Sequence, residues 1–245
     1  MAVLLTVLAF LPATWLSAVL EKQTGGRFSL GDAQGTLWNG SAFLGGAPGG
    51  GVAVAPLLPG RFSWRISPLA LVGMVDAGLA NSQALSQPVR ITGNWSAWTV
   101  SPAAITVPAE RLVALGAPLN TLQPSGRMTL SWQTMQIARQ GQQAAMTGTM
   151  QLLLDDIASR LSPIRPLGAY KVTLDWRGQQ AQMQLVSTRG PLLLTGSGSL
   201  DNGRMKFSGR AQAEAGQEQR LANLLNLLGQ RRSEGGKDYI SLEFK

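Results

Sequence analysis

Asp155 and Asp156 are neighbouring carboxylates, and a carboxylate pair is the residue set from which an acid and a base could be drawn. The segment 152–161 around them is predicted to be a short helix. Adjacent side chains on a helix diverge by about 100°, so the two carboxylates would not face one substrate. A solvated helix face or a helix cap is the better interpretation.

Histidine and cysteine are both absent from the 245 residues. Their absence excludes His-based acid–base catalysis, Ser-His-Asp and Cys-His machinery, and the usual zinc, haem and iron–sulfur ligand sets. No nucleophile with a neighbouring base and no metal cluster emerges from the remaining residues. We therefore expect no catalytic site, no cofactor, no metal and no small-molecule substrate, and we predict that the protein is not an enzyme.

Two glycine-rich stretches could in principle cradle a phosphate group. Residues 45–51 read Gly-Gly-Ala-Pro-Gly-Gly-Gly, and residues 196–198 form a lone Gly-Ser-Gly. Neither is followed by Lys-Ser/Thr or by a helix start, which the phosphate-binding loop requires. The first stretch is interpreted as a flexible hairpin loop and the second as part of a strand or bend before a turn at 201–203.

The basic charge is dispersed along the chain. The net charge is +8, although charged residues make up only 14 % of the chain against roughly 25 % in an average domain. Arg231 and Arg232 form the only adjacent basic pair. Nucleic-acid binders concentrate their cations and interleave them with aromatic residues, so nucleic-acid binding is not expected. A basic surface near anionic lipid or an acidic protein partner fits better.

Strict alternation of apolar and polar residues is the dominant pattern. In 170–177, Tyr170, Val172 and Trp176 fall on one face of an extended strand, while Lys171 and its polar partners fall on the other. The pattern recurs at Phe62/Trp64/Ile66, Met128/Leu130/Trp132, Ile240/Leu242/Phe244 and along 204–215. This pattern predicts antiparallel sheet with one apolar face and one wet face.

The predicted fold is mainly β: one elongated, curved antiparallel sheet with a few short helices. Two smaller sheets joined near 116–126 are the alternative. Besides 152–161, a short helix or turn is predicted at 108–119, and a helix is predicted at 217–232, where a leucine stripe would pack on the sheet. The stripe comprises Leu221, Leu224, Leu225 and Leu228. The apolar sheet face is assigned to Trp64, Trp132, Val172, Leu174, Trp176 and Phe207.

Residues 2–20 contain no charge. As a helix, nineteen residues span roughly 29 Å, about the hydrocarbon thickness of a bilayer. We predict a transmembrane anchor over 1–20, followed by a β-rich domain over 21–245; a cleaved signal peptide and a buried core helix stay open. No Lys or Arg precedes the segment and Lys22 and Arg27 follow it, so charge bias does not support an exported body.

Several features together resemble protein N of the bacterial type II secretion system, also called general secretion pathway protein N. They comprise the apolar N-terminal segment, Gly35-Thr-Leu-Trp-Asn-Gly-Ser-Ala42, the Pro-Ala-Glu-Arg-Leu stretch ending at Leu112, Pro124-Ser-Gly126, Pro166-Leu-Gly-Ala-Tyr170, and the strand–helix–strand from Arg204. The resemblance implies a single-pass inner-membrane protein with a periplasmic body. It also implies a part in exporting folded proteins across the outer membrane, and other secretion-system proteins as partners.

A more distant resemblance is to AsmA-like envelope proteins, which are long β-grooves. It suggests an alternative function, a periplasmic lipid-binding or lipid-transfer module whose apolar sheet face holds acyl chains. The residues that carry the two resemblances are candidates for interaction, without an assigned role. They are Gly35, Thr36, Leu37, Trp38, Gly40, Gly168 and Tyr170. Leu37 and Trp38 are expected on a strand, pointing to opposite faces, so that a loop, the anchor or a partner must cover one of them.

Overall fold

A computed structural model describes residues 10–26, 28–46, 55–115, 123–141, 143–201, 204–234 and 237–244. Within these residues, it confirms a mainly β chain built on one large open antiparallel sheet, with two α-helices. The strands are β1 (Phe28–Gly35), β2 (Asn39–Gly46), β3 (Ala55–Pro56), β4 (Phe62–Ile66), β5 (Met74–Ala80), β6 (Val89–Asn94), β7 (Ala97–Val100), β8 (Ala103–Pro108), β9 (Pro124–Trp132), β10 (Met135–Gln140), β11 (Gln143–Ser159), β12 (Gly168–Gly178), β13 (Gln180–Arg189), β14 (Leu192–Asp201), β15 (Arg204–Ala213), β16 (Gln230–Glu234) and β17 (Lys237–Phe244). The helices are α1 (Thr14–Thr24), α2 (Glu218–Leu228) and two 3-10 helices, Pro68–Val72 and Ala109–Leu115.

The sheet is a meander in which strands that follow each other along the chain lie side by side. Its neighbours run β1–β2–β4–β5–β6–β7–β10–β11–β12–β13–β14–β15–β17–β16. Short β3 adds to β2, and β9 pairs with both β8 and β11. Strands that precede residues 116–126 pair with strands that follow them, β7 with β10 and β8 with β9, so the alternative of two separate sheets is wrong. Elongation and curvature of the sheet stay predictions.

Alternation of burial is confirmed in β4, in residues 207–211 of β15 and in residues 240–243 of β17, whereas burial is nearly uniform along β9 and β12. Residues directly opposite each other in antiparallel strands point to the same face. Register therefore aligns apolar side chains on one face across the sheet, whereas the other face is mostly polar but includes Leu153 and Leu193. On that polar face the Thr149 hydroxyl donates to the Asp175 carboxylate at 3.5 Å.

The two α-helices cover opposite ends of the apolar face. Near β1 and β4, the start of α1 contributes Ala13 to a cluster with Ala42 and Trp64. At the other end, α2 packs against β14, β15 and β17. The leucine stripe is buried there as predicted, with Leu221 at 0 % exposure and Leu224 at 4 %. A third cluster, centred on β4, β6 and β8, lies between α1 and the middle of the sheet.

The predicted helix at 152–161 is wrong, because this segment is the second half of β11. Leu152 pairs with Leu130 on one side and with Val172 on the other. Such a strand is flanked on both edges, and its continuous apolar run cannot be told from a buried helix by periodicity. A bulge follows Leu154, where Asp156 takes a left-handed φ of 50°.

The predicted helix at 217–232 is four residues too long at its C-terminal end. It ends at Leu228, and Arg231 and Arg232 lie on β16 instead of in a last helical turn. There Arg231 pairs with Ile240 of β17. Pairing with a strand that follows in sequence decides this boundary, and local helix propensity does not reveal it. The helix predicted at 108–119 is present as the 3-10 helix Ala109–Leu115; residues 116–119 lie outside the described part.

In the described part of the chain, no helix is long and apolar enough to cross a membrane. Residues 1–9, the first half of the predicted anchor, lie outside that part. The helix α1 runs past residue 20 and includes Glu21 and Lys22. The anchor over 1–20 and the division at residue 20 stay predictions.

Candidate interaction surfaces

Residues 36–38 form the turn between β1 and β2, so the expectation that Leu37 and Trp38 point to opposite faces of a strand is wrong. The Thr36 amide donates to the Asn39 carbonyl at 2.9 Å, which closes the turn. Gly35 has a φ of +84°, a conformation that glycine adopts without strain. Both Leu37 and Trp38 are half-buried.

Trp64 connects this turn to β4 through side-chain hydrogen bonds. Its indole Nε1 donates to the Leu37 carbonyl at 3.0 Å and to the Thr36 carbonyl at 3.3 Å. Its ring fills the space beside Gly40, where an added Cβ would lie 2.5 Å from Cζ2 of Trp64. Glycine at position 40 is therefore required by the close approach of the ring.

Replacing Gly40 by alanine is expected to lower the free energy of unfolding by about 1–3 kcal/mol, the usual cost of overpacking. The new Cβ would meet the Trp64 ring and two backbone carbonyl oxygens within 2.8 Å. Gly78→Ala is the matched control, because a Cβ at this strand position meets nothing within 4 Å. Urea unfolding of the two variants measures the difference, and equal stabilities would contradict the packing role of Gly40.

The chain before α1 pairs with the same turn. The Leu37 amide donates to the Leu11 carbonyl at 2.7 Å, and the Ala13 amide donates to the Gly35 carbonyl at 3.2 Å. Between them, Pro12 and Thr36 form an isolated antiparallel bridge. The chain therefore enters α1 at the end of the sheet where the β1–β2 turn lies.

Gly168 and Tyr170 also have packing roles. The Tyr170 side chain is buried, and its hydroxyl donates to the Leu192 carbonyl at 3.0 Å. A Cβ at Gly168 would lie 2.8 Å from this hydroxyl and 2.8 Å from the Arg189 carbonyl oxygen. Burial raises the pKa of the Tyr170 phenol.

Stability is expected to fall in alkaline solution through Tyr170. Because burial raises the pKa of its phenol, the folded chain retains a proton that the unfolded chain releases above about pH 10. The stabilisation is complete below that pH and is lost as the pH rises. Tyr170→Phe should cost about 1 kcal/mol at neutral pH through the lost hydrogen bond, yet lose stability less steeply above about pH 10. Urea titrations at several pH values test this, and parallel pH profiles would contradict it.

Most of the residues assigned to the apolar sheet face do lie together. Trp132, Leu174 and Phe207 stand in one register row that runs through Met150 and Met183. Val172 and Trp176 flank Leu174 on the same face of β12, since side chains two residues apart share a face. Trp64 lies apart from them, in the cluster beneath α1.

In the described part of the chain, neither α-helix packs on the middle of this face, the strands β9 to β13; β9 is in contact with the 3-10 helix Ala109–Leu115. Trp132 packs against the cluster at β4–β8, and Phe207 packs against the cluster beneath α2. Between them Val172, Leu174 and Trp176 are half-buried. The Trp176 indole Nε1 is shielded from solvent and has no hydrogen-bond acceptor. We call this region the middle apolar face.

Two further groups of side chains differ from the sequence expectations. Asp155 and Asp156 both approach Nη2 of Arg189, at 4.0 and 2.9 Å, so the carboxylate pair belongs to an exposed ion-pair group. A set of large apolar side chains that the sequence does not single out is exposed at the β4–β5 and β6–β7 connections. They are Leu69, Leu71, Val72, Met74 and Trp95. Their signal in the sequence is the charge-free composition of 66–75 and 91–100.

Comparison with known families supports the resemblance seen in the sequence. The family model for type II secretion system protein N matches residues 26–238, which is more than half of the chain and includes every strand from β1 to β16. A search of curated proteins and a search of solved structures each gave no match. On the extent of the family match, the chain belongs to the type II secretion system protein N family.

Proposed function

We propose that the protein is an accessory structural component of the type II secretion system that supports export of folded proteins across the outer membrane. In this proposal residues 1–20 anchor it in the inner membrane and residues 21–245 form a periplasmic body. The family match over 26–238 carries the proposal. Membership in this family makes the chain a component of the secretion system, with other components as partners.

The packing of the motif residues is consistent with a structural role. Gly35, Gly40, Gly168 and Tyr170 fit the sheet to its own turns and side chains. The wet face of the sheet is free to carry contacts with other proteins, because its side chains are polar and exposed along β13 and β15.

Deletion combined with affinity capture tests the structural role. A tagged full-length chain, expressed in a secreting strain that lacks its own copy, should restore secretion. Capture from solubilised membranes should recover other components of the secretion system, whereas an equally tagged unrelated inner-membrane protein should not recover them. Normal secretion after deletion, together with recovery of no component, would contradict the proposal.

The absence of cysteine allows a clean test of location. Ser208 lies exposed on β15, so Ser208→Cys in the full chain introduces a single reactive thiol. A membrane-impermeant maleimide should label it in intact spheroplasts to the same extent as after lysis. Labelling that requires lysis would place the body on the cytoplasmic side and contradict the proposed orientation.

Lipid binding is the second candidate function, and the middle apolar face favours it. This face is half-buried, with no α-helix packed on it among the described residues, and the Trp176 indole there has a proton to donate and no acceptor. An acyl chain could lie along Val172 and Leu174, because hydrocarbon removes apolar surface from water.

Co-purification of lipid separates the two functions. If the middle apolar face holds acyl chains, mass spectrometry of the purified full-length chain should detect bound lipid. Leu174→Gln should lower its amount, whereas Thr173→Gln, on the opposite face of the same strand, should not. Lipid that is absent, or equal in both variants, would exclude this face as a lipid site and leave the structural role as the proposed function.

A further inference from the structure

Six large apolar side chains are exposed at one end of the sheet, and we call them the apolar tip. Val72 is 73 % exposed, Phe10 71 % and Trp95 60 %. Single exposed apolar residues are ordinary on a protein surface, whereas a group of large ones marks an interaction site. The apolar tip comprises Phe10, Leu69, Leu71, Val72, Met74 and Trp95.

A chain of hydrogen bonds brings these residues to the same end of the sheet. The carbonyl of Leu11, next to Phe10, accepts from the Leu37 amide in the β1–β2 turn. The Trp38 carbonyl in that turn accepts from the Ile66 amide at 2.7 Å, just before the 3-10 helix Pro68–Val72. The Trp95 indole then donates to the Ala70 carbonyl of this 3-10 helix at 2.6 Å.

The backbone holds the apolar side chains outward. Ser67 Oγ caps the 3-10 helix by accepting from the Leu69 amide at 3.3 Å. In the β6–β7 turn, the Asn94 side chain accepts from the Ser96 and Ala97 amides, each at 2.9 Å, which fixes the position of Trp95. Since the turns are closed by their own hydrogen bonds, exposure of these side chains is a feature of the folded state.

No charged residue occurs in the segments that carry the tip. Residues 10–20, 33–46, 66–75 and 91–100 contain no Asp, Glu, Lys or Arg. Charged residues flank these segments: Arg65 and Asp76 border 66–75, Arg90 precedes 91–100, and the Arg139 amide donates to the Ser96 carbonyl at 2.6 Å, next to Trp95. A charge that enters a bilayer costs several kcal/mol, so a tip without charge is suited to shallow insertion into lipid, and tryptophan favours the membrane interface. Three of the four flanking charges are arginines, which anionic lipid headgroups attract.

The residues that precede Phe10 also favour lipid as the partner of the tip. Phe10 is preceded by residues 2–9, which are also without charge, and it lies at the end of the sheet that carries the tip. We propose that the apolar tip inserts shallowly into a lipid bilayer, so that this end of the sheet faces the membrane surface. The inference deepens the proposed function, because it rests on a location in the cell envelope, but it does not require residues 1–20 to span the membrane.

A single label at the tip tests the inference in the full-length chain. The chain has no cysteine, so Val72→Cys carries a unique environment-sensitive fluorophore. Vesicles of equal parts phosphatidylethanolamine and phosphatidylglycerol should shift its emission to the blue, and lipids with a quencher on the acyl chain should quench it. Leu161→Cys is the matched control, an exposed apolar position in the β11–β12 connection at the opposite end of the sheet. Its label should stay in water.

A second variant separates the tip from any other membrane contact. Leu71→Asp in the Val72→Cys background should return the label to water even where the chain stays bound to vesicles, because the new charge resists insertion. Equal aqueous accessibility of the labels at 72 and 161 would overturn the inference. Protection of the label only in native membranes, and not in pure lipid vesicles, would also overturn it, since the tip would then bind a protein. Neither readout depends on secretion, so the inference and the proposed function can fail separately.

Discussion

Leu221→Ala is expected to lower the free energy of unfolding by about 2–5 kcal/mol, the range for emptying a buried leucine site. Leu221 is completely buried and lies in the cluster that joins α2 to β14, β15 and β17. Alanine is a good helix former, so the loss would come from the cavity and not from the helix backbone. Urea unfolding followed by circular dichroism measures it.

The same helix supplies the control. Leu227 is 68 % exposed, so Leu227→Ala keeps the helix and should change stability by no more than about 0.5 kcal/mol. A small effect at both positions would mean that α2 contributes little to holding the sheet. The leucine stripe would then be available to a partner, contrary to its observed burial.

The stripe and the strands were predictable because they depend on local periodicity. Apolar residues at positions 221, 224, 225 and 228 share one helix face, and alternation in 170–177 places one side chain in two on the core side. In an antiparallel meander, each strand also pairs with the next one along the chain. Local pattern and tertiary contact therefore agree over most of this sheet.

Two segments were mispredicted because distant pairing decided their structure. Leu152, Leu153 and Leu154 form an apolar run, which is as compatible with a buried helix as with a strand flanked on both edges. Arg231 and Arg232 continue a helical pattern, yet they pair with β17, which comes later in the chain. Neither partner is visible from the local sequence.

The interaction candidates show the corresponding limit for sites. Sequence reasoning identified the segment Gly35–Gly40 as special, but it could not foresee the Trp64 ring that explains Gly40. It also overlooked the apolar tip, since Leu71, Val72 and Trp95 are ordinary as single residues. The pairing of Met74 with Asn94 and the hydrogen bond from the Trp95 indole to the Ala70 carbonyl show that they belong to one end of the sheet.

Trp64→Ala is expected to cost about 3–5 kcal/mol, the usual loss on truncating a buried tryptophan. Trp64 is 8 % exposed and packs with Ala13 and Ala42, so its removal opens a cavity where α1 meets the sheet. It also removes the donor to the Thr36 and Leu37 carbonyls. Trp64→Phe keeps most of the packing and should lose only about 1–2 kcal/mol, through that hydrogen bond.

Trp38 serves as the control for Trp64, because it lies in the β1–β2 turn and is only half-buried. Trp38→Ala should therefore cost about 1–2 kcal/mol, because roughly half as much apolar surface returns to water. Thermal and urea unfolding of the full-length variants, together with secretion assays, separate two roles. If Trp38→Ala impairs secretion at this small stability cost while Trp64→Phe, at a similar cost, does not, the exposed part of Trp38 contacts a partner. Equal losses from Trp38→Ala and Trp64→Ala would contradict the arrangement in which Trp64, and not Trp38, holds the turn to the sheet.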